Sequence, residues 1–393
     1  MTITVFNWYF LRIAVLKDWT YVQYVDKYCD IGTFKVLLQN TEENQMFLDN
    51  KKTYFLSFGG EAMGIVNYAN KDSDAEYDNT IELQGQLLNY ITDKRVIYKQ
   101  QLFNGKSSDI AIAAAKKCFE GIYFNDKRAI DFIYSNVKDS SKLSNVQVQQ
   151  TGGTLFEFIQ PLLEQDELGF EILPHIDVEH EIITQSPSVN VSEWYFNILQ
   201  GVDRTSGDGV VMFAHSLSNI IRSTYTMESE DRCNVAYIAG EGEGNNRVWL
   251  EVYQPDISDV EKTDLYNIGW LRNECFIDAR DLQKKTTDKT YTDAEYNDLL
   301  KQRAEQKLTE HITCVSYEST ITNQGKRYTY GKDKDFYKGD YVIVNDNELG
   351  LSIKAQVTEV TKTIKDTGEE VLDIGLGYKK MTINKKLKRK GVI

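Results

Sequence analysis

Short runs in which apolar and polar residues alternate recur along most of the chain, and they predict a mainly β protein. Over residues 33–39, Phe34, Val36 and Leu38 fall on one side while Lys35 and Leu37 fall on the other. Residues 54–58 repeat the pattern with Tyr54, Leu56 and Phe58; Gly59-Gly60 marks a turn, and residues 63–68 and 81–88 continue the series. Short strands at this spacing suggest a small barrel or sandwich over residues 1–100. The opening run MTITVFNWYFLRIAVLKDW is interrupted by Asn7 and Arg12 and has neither a basic leader nor a small-residue cleavage site, so it reads as strand and not as signal peptide.

The texture changes over residues 101–200. Ser107-Ser108-Asp109 is expected to cap a helix over 110–119, with Gly121 as its stop. Residues 126–137 suggest a second short helix. Thr154-x-x-Glu157 is a capping box opening an amphipathic run that ends near Gly169 and bends at Pro161. Strands at 170–173 and 194–199 complete a mixed α+β region. Strand-like runs return at 210–213, 234–238 and 248–253, divided by Gly, Asn, Asp and Ser clusters. A linker is expected between Asp256 and Gly269. Thr292-x-x-Glu295 then opens a helix whose Tyr296, Leu300, Ala304 and Leu308 form one stripe, with Leu299 beside it. Strands resume at 313–317, 341–345, 353–360 and 371–378.

The fold class that follows is mainly β with α+β parts: two small β-barrels flanking a mixed α/β domain, with a helix inserted in the C-terminal half. The expected divisions are 1–100 for the first barrel, 101–200 for the mixed domain, and 201–285 with 312–378 for the second barrel. Residues 286–311 are the inserted helix, and 379–393 are a basic tail.

Composition narrows the function. The 393 residues are 41% hydrophobic and include 24 tyrosines, enough for sizeable cores. Mean hydropathy is −0.45, and no apolar run approaches the roughly 20 residues of a membrane span. A net charge of −14 argues against a general nucleic-acid binder. It suits a channel wall that DNA passes without sticking, with the acidic excess on that wall. Five cysteines, Cys29, Cys118, Cys233, Cys275 and Cys314, contain no CxxC spacing and read as reduced thiols.

Candidate chemistry is sparse. His175, Asp177, Glu179 and His180 tempt as a metal site, but strand alternation would put His180 on the opposite face from the other three, and no HExxH occurs. Gly240-Glu241-Gly242-Glu243-Gly244 lacks the Gly-Lys-Ser/Thr of a phosphate loop, and its glutamates would repel phosphate; like Ser206-Gly207-Asp208-Gly209, it reads as a hairpin turn. No GxSxG elbow is present. No catalytic residue, cofactor or metal is therefore expected. Residues 379–390 carry seven basic residues. Either this is a solvated end, or Lys385, Lys386, Lys388, Arg389 and Lys390 form a peg that docks on an acidic partner.

The segment VDRT…VVMFAHSLSNIIRSTYTMESEDRCNVAYIAGEGEGNNRV, followed by NECFIDARDL, resembles the baseplate-hub proteins of tailed phages, the trimeric hub that in siphophages often fronts a tail-associated lysin. Trp19 and residues 24–68 resemble that family's first barrel, and DFYKGDYVIVNDNELGLSIKAQVTEVTKTI resembles its closing segment. The resemblance covers nearly the whole chain and is most specific over 213–247 and 276–282. It implies a structural, non-enzymatic protein of the virion tail: a homotrimer of two barrels per subunit. That ring would join a six-fold tail tube or distal tail protein above to a three-fold spike, tip or fibre below, with DNA passing through the lumen. No hydrolase segment follows before Ile393, so another protein is expected to cleave the cell wall. A cell-wall glycosidase using a carboxylate pair, or a tyrosine-rich carbohydrate-binding module for host recognition, are the alternatives from other classes.

Overall fold

The computed structural model describes residues 1–49, 51–73, 79–120, 129–176, 191–255, 257–286, 289–311, 314–321, 328–347 and 350–377. The first seven strands are β1 (Ile3–Phe6), β2 (Arg12–Leu16), β3 (Trp19–Lys27), β4 (Thr33–Gln39), β5 (Phe55–Phe58), β6 (Ala62–Ser73) and β7 (Asn79–Leu87). Their alternation has the expected cause. In β4, Phe34, Val36 and Leu38 are buried against Ile3, Val22, Leu56 and Leu83. The middle of the chain holds β8 (Gln100–Lys106), α1 (Ser107–Phe119), β9 (Phe132–Ser135), β10 (Asn145–Thr151), α2 (Leu155–Glu164), β11 (Leu168–Ile176) and β12 (Val191–Gln200). Then come β13 (Met212–Ala214), β14 (Ile220–Glu228), β15 (Val235–Ala239), β16 (Trp249–Tyr253), α3 (Asp259–Asn267), β17 (Glu274–Asp278), α4 (Asp293–Thr309), β18 (Cys314–Ile321), β19 (Tyr341–Asp346), β20 (Leu351–Lys365) and β21 (Glu370–Gly377).

The mainly β reading with α+β parts holds, but the two closed barrels do not form. Strands from both ends of the chain share one sheet, in the order β14-β18-β21-β20-β3-β4-β7-β6-β5-β1-β2. The seam is an antiparallel ladder from Lys27↔Glu359 to Tyr21↔Lys365. Fifteen-residue β20 makes this possible by shifting register between Val357 and Glu359: its first half pairs with β19 and its second half lies between β21 and β3. A bulge of this kind bends a strand and redirects its ladder. Among the described residues no ladder closes either half into a ring.

Other elements depart from expectation for local reasons. Residues 126–137 were predicted helical; their described part contains β9, parallel to β12. The rings of Phe132 and Tyr134 both pack on Phe196, so period-two packing wins over helix propensity there. Gly121 lies outside the described residues. The serines expected to cap α1 are buried inside its first turn, and Ser107 donates to Asp166 Oδ2 instead. The Thr154–Glu157 capping box opens α2 as expected, but α2 ends at Glu164, well short of Gly169. A Cβ on Gly169 would lie 2.3 Å from Tyr28 O, so the close approach of β11 to Tyr28, just after β3, needs glycine at this point. The runs at 234–238 and 248–253, instead of completing a second barrel, pair with each other and with β17 in a separate sheet. The stripe Tyr296, Leu300, Ala304 and Leu308 of α4 covers one face of that sheet, against Ala236, Ile238 and Val252.

Candidate functional site

Two exposed apolar features and one buried charge cluster stand out. The first feature is the β1–β2 hairpin. Asn7 Oδ1 accepts from the backbone N–H groups of Tyr9 at 2.9 Å and Leu11 at 3.1 Å, which folds the turn. Phe10 takes the left-handed conformation (φ 57°) and anchors the loop, its ring 4.5 Å from both Phe55 and Trp194. Trp8 and Tyr9 are thereby left exposed, and Ile13 and Val15 of β2 join them on the surface.

The second feature lies on the separate sheet. Side chains facing away from α4 include Tyr237, Trp249 and Phe276, with the Trp249 and Phe276 rings 5.6 Å apart. Charges on this face are paired. The Arg272 guanidinium sits 2.8 Å from Glu251 and 2.9 Å from Glu274. Hydrogen bonds from Arg272 hold the Glu251 carboxyl below the usual range. Arg280 and Arg247 both bond Asp278 and hold its carboxyl well below the usual range. Beside this face, α3 opens with a Ser258–Glu261 capping box, and no described side chain on it is buried. Tyr266 is 79% exposed, and Trp270, just after α3, is 98% exposed.

The charge cluster is the opposite case. Lys338 Nζ is 2.7 Å from Asp26 Oδ1 on β3 and 3.5 Å from Glu171 Oε2 on β11. Asn197 Nδ2 donates to Glu171 Oε1 at 3.1 Å, and Tyr337 OH donates to Glu171 Oε2 at 3.2 Å. Burial pushes the Asp26 carboxyl up despite Lys338. Burial also opposes ionisation of Glu171, but Lys338 and Lys332 outweigh it and hold that carboxyl below the usual range. These groups satisfy one another and tie β3, β11 and the loop before β19 together.

The residues singled out from sequence fall elsewhere. Lys385, Lys386, Lys388, Arg389 and Lys390 lie outside the described residues, as do Asp177, Glu179 and His180; His175 is exposed near the end of β11. Among the described residues no three His, Cys, Asp or Glu side chains gather as a metal site. No helix among them is long and apolar enough to cross a membrane. The Gly240–Gly244 stretch is the turn between β15 and β16, stapled by Tyr296 OH, which accepts from Glu241 N at 2.7 Å, and by Arg247 Nε, which donates to Gly240 O at 2.9 Å. Ser206–Gly209 forms a loop closed by Val211 N donating to Arg204 O, but the strands it joins are not paired with each other. Cys29 and Cys118 are buried thiols that donate to Gln160 O and Val96 O, and Cys233 and Cys275 are half-buried. Sequence reasoning missed α3, read as linker, although Ser258-x-x-Glu261 is the same capping signal that located α2 and α4. It also missed the Lys338 cluster, whose members are far apart in sequence.

Comparison with known proteins adds identity. The fold is similar to that of a tail protein from Neisseria meningitidis MC58, with a TM-score of 0.53, 12% identity and 95% of each chain covered. It is also similar to the 43 kDa tail protein of prophage MuSo2 from Shewanella oneidensis, with a TM-score of 0.51, 14% identity and coverage of 96% of this chain and 98% of that one. Prophage tail protein gp18 from Listeria monocytogenes EGD-e gives a TM-score of 0.51 at 13% identity, with 100% and 98% covered. No curated protein sequence matches the chain. The model of the family described as Siphovirus ReqiPepy6 Gp37-like protein matches residues 2–378, and the chain belongs to that family.

Proposed function

We propose that this protein is a structural hub of a phage tail, a homotrimeric ring that joins a six-fold tail tube or distal tail protein to a three-fold spike, tip or fibre. The carrying observation is the order of the large sheet. A C-terminal run of four antiparallel strands, β14-β18-β21-β20, lies beside an N-terminal run of four, β3-β4-β7-β6. Three copies would present six such runs, which is how a three-fold assembly can meet a six-fold one. The family and the shared fold of prophage tail proteins support the same reading.

In this reading the protein resides in the virion tail, does no chemistry of its own, and lines a lumen through which DNA passes unbound. The net charge of −14 supports an acidic wall. The chain divides near residues 100 and 200, with 286–311 and 379–393 as accessory parts, and the basic residues Lys385 to Lys390 contact the distal partner. The test is light scattering of the purified chain across a concentration range, with class averages of the particles. A three-fold ring is expected. A chain that stays monomeric at tens of micromolar, or that clears a cell-wall zymogram, overturns the proposal.

A further inference from the structure

We infer that Cys233 and Cys275 form a dithiol site, which closes to an intramolecular disulfide on meeting a small disulfide such as glutathione disulfide. Cys275 stands on β17, opposite Ala236 in the parallel β15–β17 ladder, and Cys233 lies just before β15. The residue between Cys233 and β15 is tied to the approach of β17. Asn234 N donates to Asn273 O at 2.9 Å, and Asn273 N donates to Asn234 Oδ1 at 2.8 Å. Both cysteines pack on the cluster under α4, and their side chains hydrogen-bond to each other. Cys233 is outside the ladder, so drawing the two sulfurs to bonding distance moves a bend and not a strand. Access sets this pair apart. Cys29 and Cys118 are buried and donate to backbone carbonyls, whereas Cys233 and Cys275 are half-buried and within reach of a small oxidant.

The step is thiol–disulfide exchange. The Cys233 thiolate attacks one sulfur of glutathione disulfide, the S–S bond of the oxidant breaks, and one glutathione leaves as thiolate. The Cys275 thiolate then displaces the second glutathione, and the Cys233–Cys275 bond forms. Two electrons pass to the oxidant, and the two protein thiol protons end on the two glutathiones. Burial, with Cys233 beside it, pushes the Cys275 thiol up to about 12, which makes it the later, resolving thiol. The bond closes a loop over residues 233–275. It staples β17 to β15, its one strand partner among the described residues. On the virion-tail reading, thiols kept reduced in the cytoplasm meet such oxidants after release. The exchange itself does not depend on that reading.

The experiment incubates the full native chain with glutathione disulfide at pH 8, quenches with acid, and reads intact mass and tryptic peptides. The chain is expected to lose two hydrogens, with peptide 233–247 joined to peptide 273–280, each of which holds one cysteine. Cys275→Ser retains one glutathione on Cys233, and Cys233→Ser gains an adduct at least about tenfold more slowly. The oxidised chain melts about 5 °C or more above the same chain in dithiothreitol, and both serine variants abolish that gap. Melts in dithiothreitol show that each variant folds, and alanine replaces serine in one that does not. A chain that keeps all five thiols, a crosslink between other cysteines, equal adducts on the two variants, or an unchanged melt overturns the inference. None of these outcomes bears on the trimeric ring, which light scattering tests separately.

Discussion

Lys338 and Trp270 are both large side chains outside the strands and α-helices, yet Lys338 is 4% exposed and Trp270 is 98% exposed. The amphipathic cation is inside and the largest apolar residue is outside, the reverse of the usual preference. The contrast separates what the protomer completes for itself from what it leaves open. Around Lys338, two carboxylates, an amide and a phenol partner the buried charges within one chain. Around Trp270, no described side chain of α3 is buried. A buried charge network fixes how segments meet inside one chain, whereas unpaired aromatic surface points to another chain.

The comparison is broken hardest at Lys338. Lys338→Met leaves Asp26 and Glu171 buried without their shared cation, and is expected to cost about 3–5 kcal/mol. Urea unfolding followed by tryptophan fluorescence measures it. Adding Asp26→Asn and Glu171→Gln removes the orphaned charges and recovers part of the loss. If Lys338→Met unfolds with the native midpoint, the cluster is not what holds the three segments in register.

A sharper comparison sets Leu300 beside Trp270, since both belong to the segment that holds α3, α4 and their sheet. Leu300 is fully buried on the sheet-facing side of α4, and Leu300→Ala is expected to cost about 2–5 kcal/mol through lost transfer energy and a residual cavity. Trp270→Ala, on the solvent side, is expected to change the protomer's stability by no more than about 0.5 kcal/mol. Denaturant midpoints of the two variants, taken where the chain is monomeric, decide this. Equal losses would mean that Trp270 packs within its own protomer.

The legible and illegible parts of the sequence divide along the same line. Alternation in β4 and the Tyr296–Leu308 stripe of α4 could be read directly, because each is a local pattern imposed by one covering surface. The capping boxes at Thr154 and Thr292 located helix starts to the residue, because the bonds that make them span only three positions. Barrel closure was misread because it depends on where β20 shifts register, and that shift joins Lys27 to Glu359 across most of the chain. Residues 132–135 were misread because Phe196 supplies their packing partner from sixty residues away. The hairpin was legible as strand, but its exposure was not: that depends on Phe10 finding Phe55 and Trp194. For α3 the capping signal was present and went unused, since no apolar stripe followed it.

The smallest expected effect concerns that signal in α4, where it is paired with a buried face that α3 lacks. Glu295 accepts from Thr292 N at 2.8 Å and from Lys289 Nζ at 2.9 Å. The bond from the Thr292 backbone, then those from Lys289 and the Thr292 hydroxyl, hold its carboxyl down at about 2. A carboxylate with a lowered folded-state value adds stability above its ordinary value, and that contribution is lost as pH falls through the folded one. The difference in melting temperature between the native chain and Glu295→Gln should therefore be present at pH 6 and shrink toward pH 2. Glu261 holds the same place in α3, where the bond from the Ser258 backbone keeps its carboxyl below the usual range. Glu261→Gln should alter the global melt less than Glu295→Gln, because none of the described side chains of α3 is buried while unfolding α4 uncovers the Leu300 face. A pH-independent difference for Glu295→Gln would show that the capping carboxylate adds nothing by its charge. A larger effect at Glu261 than at Glu295 would show that α3 is packed within its own protomer.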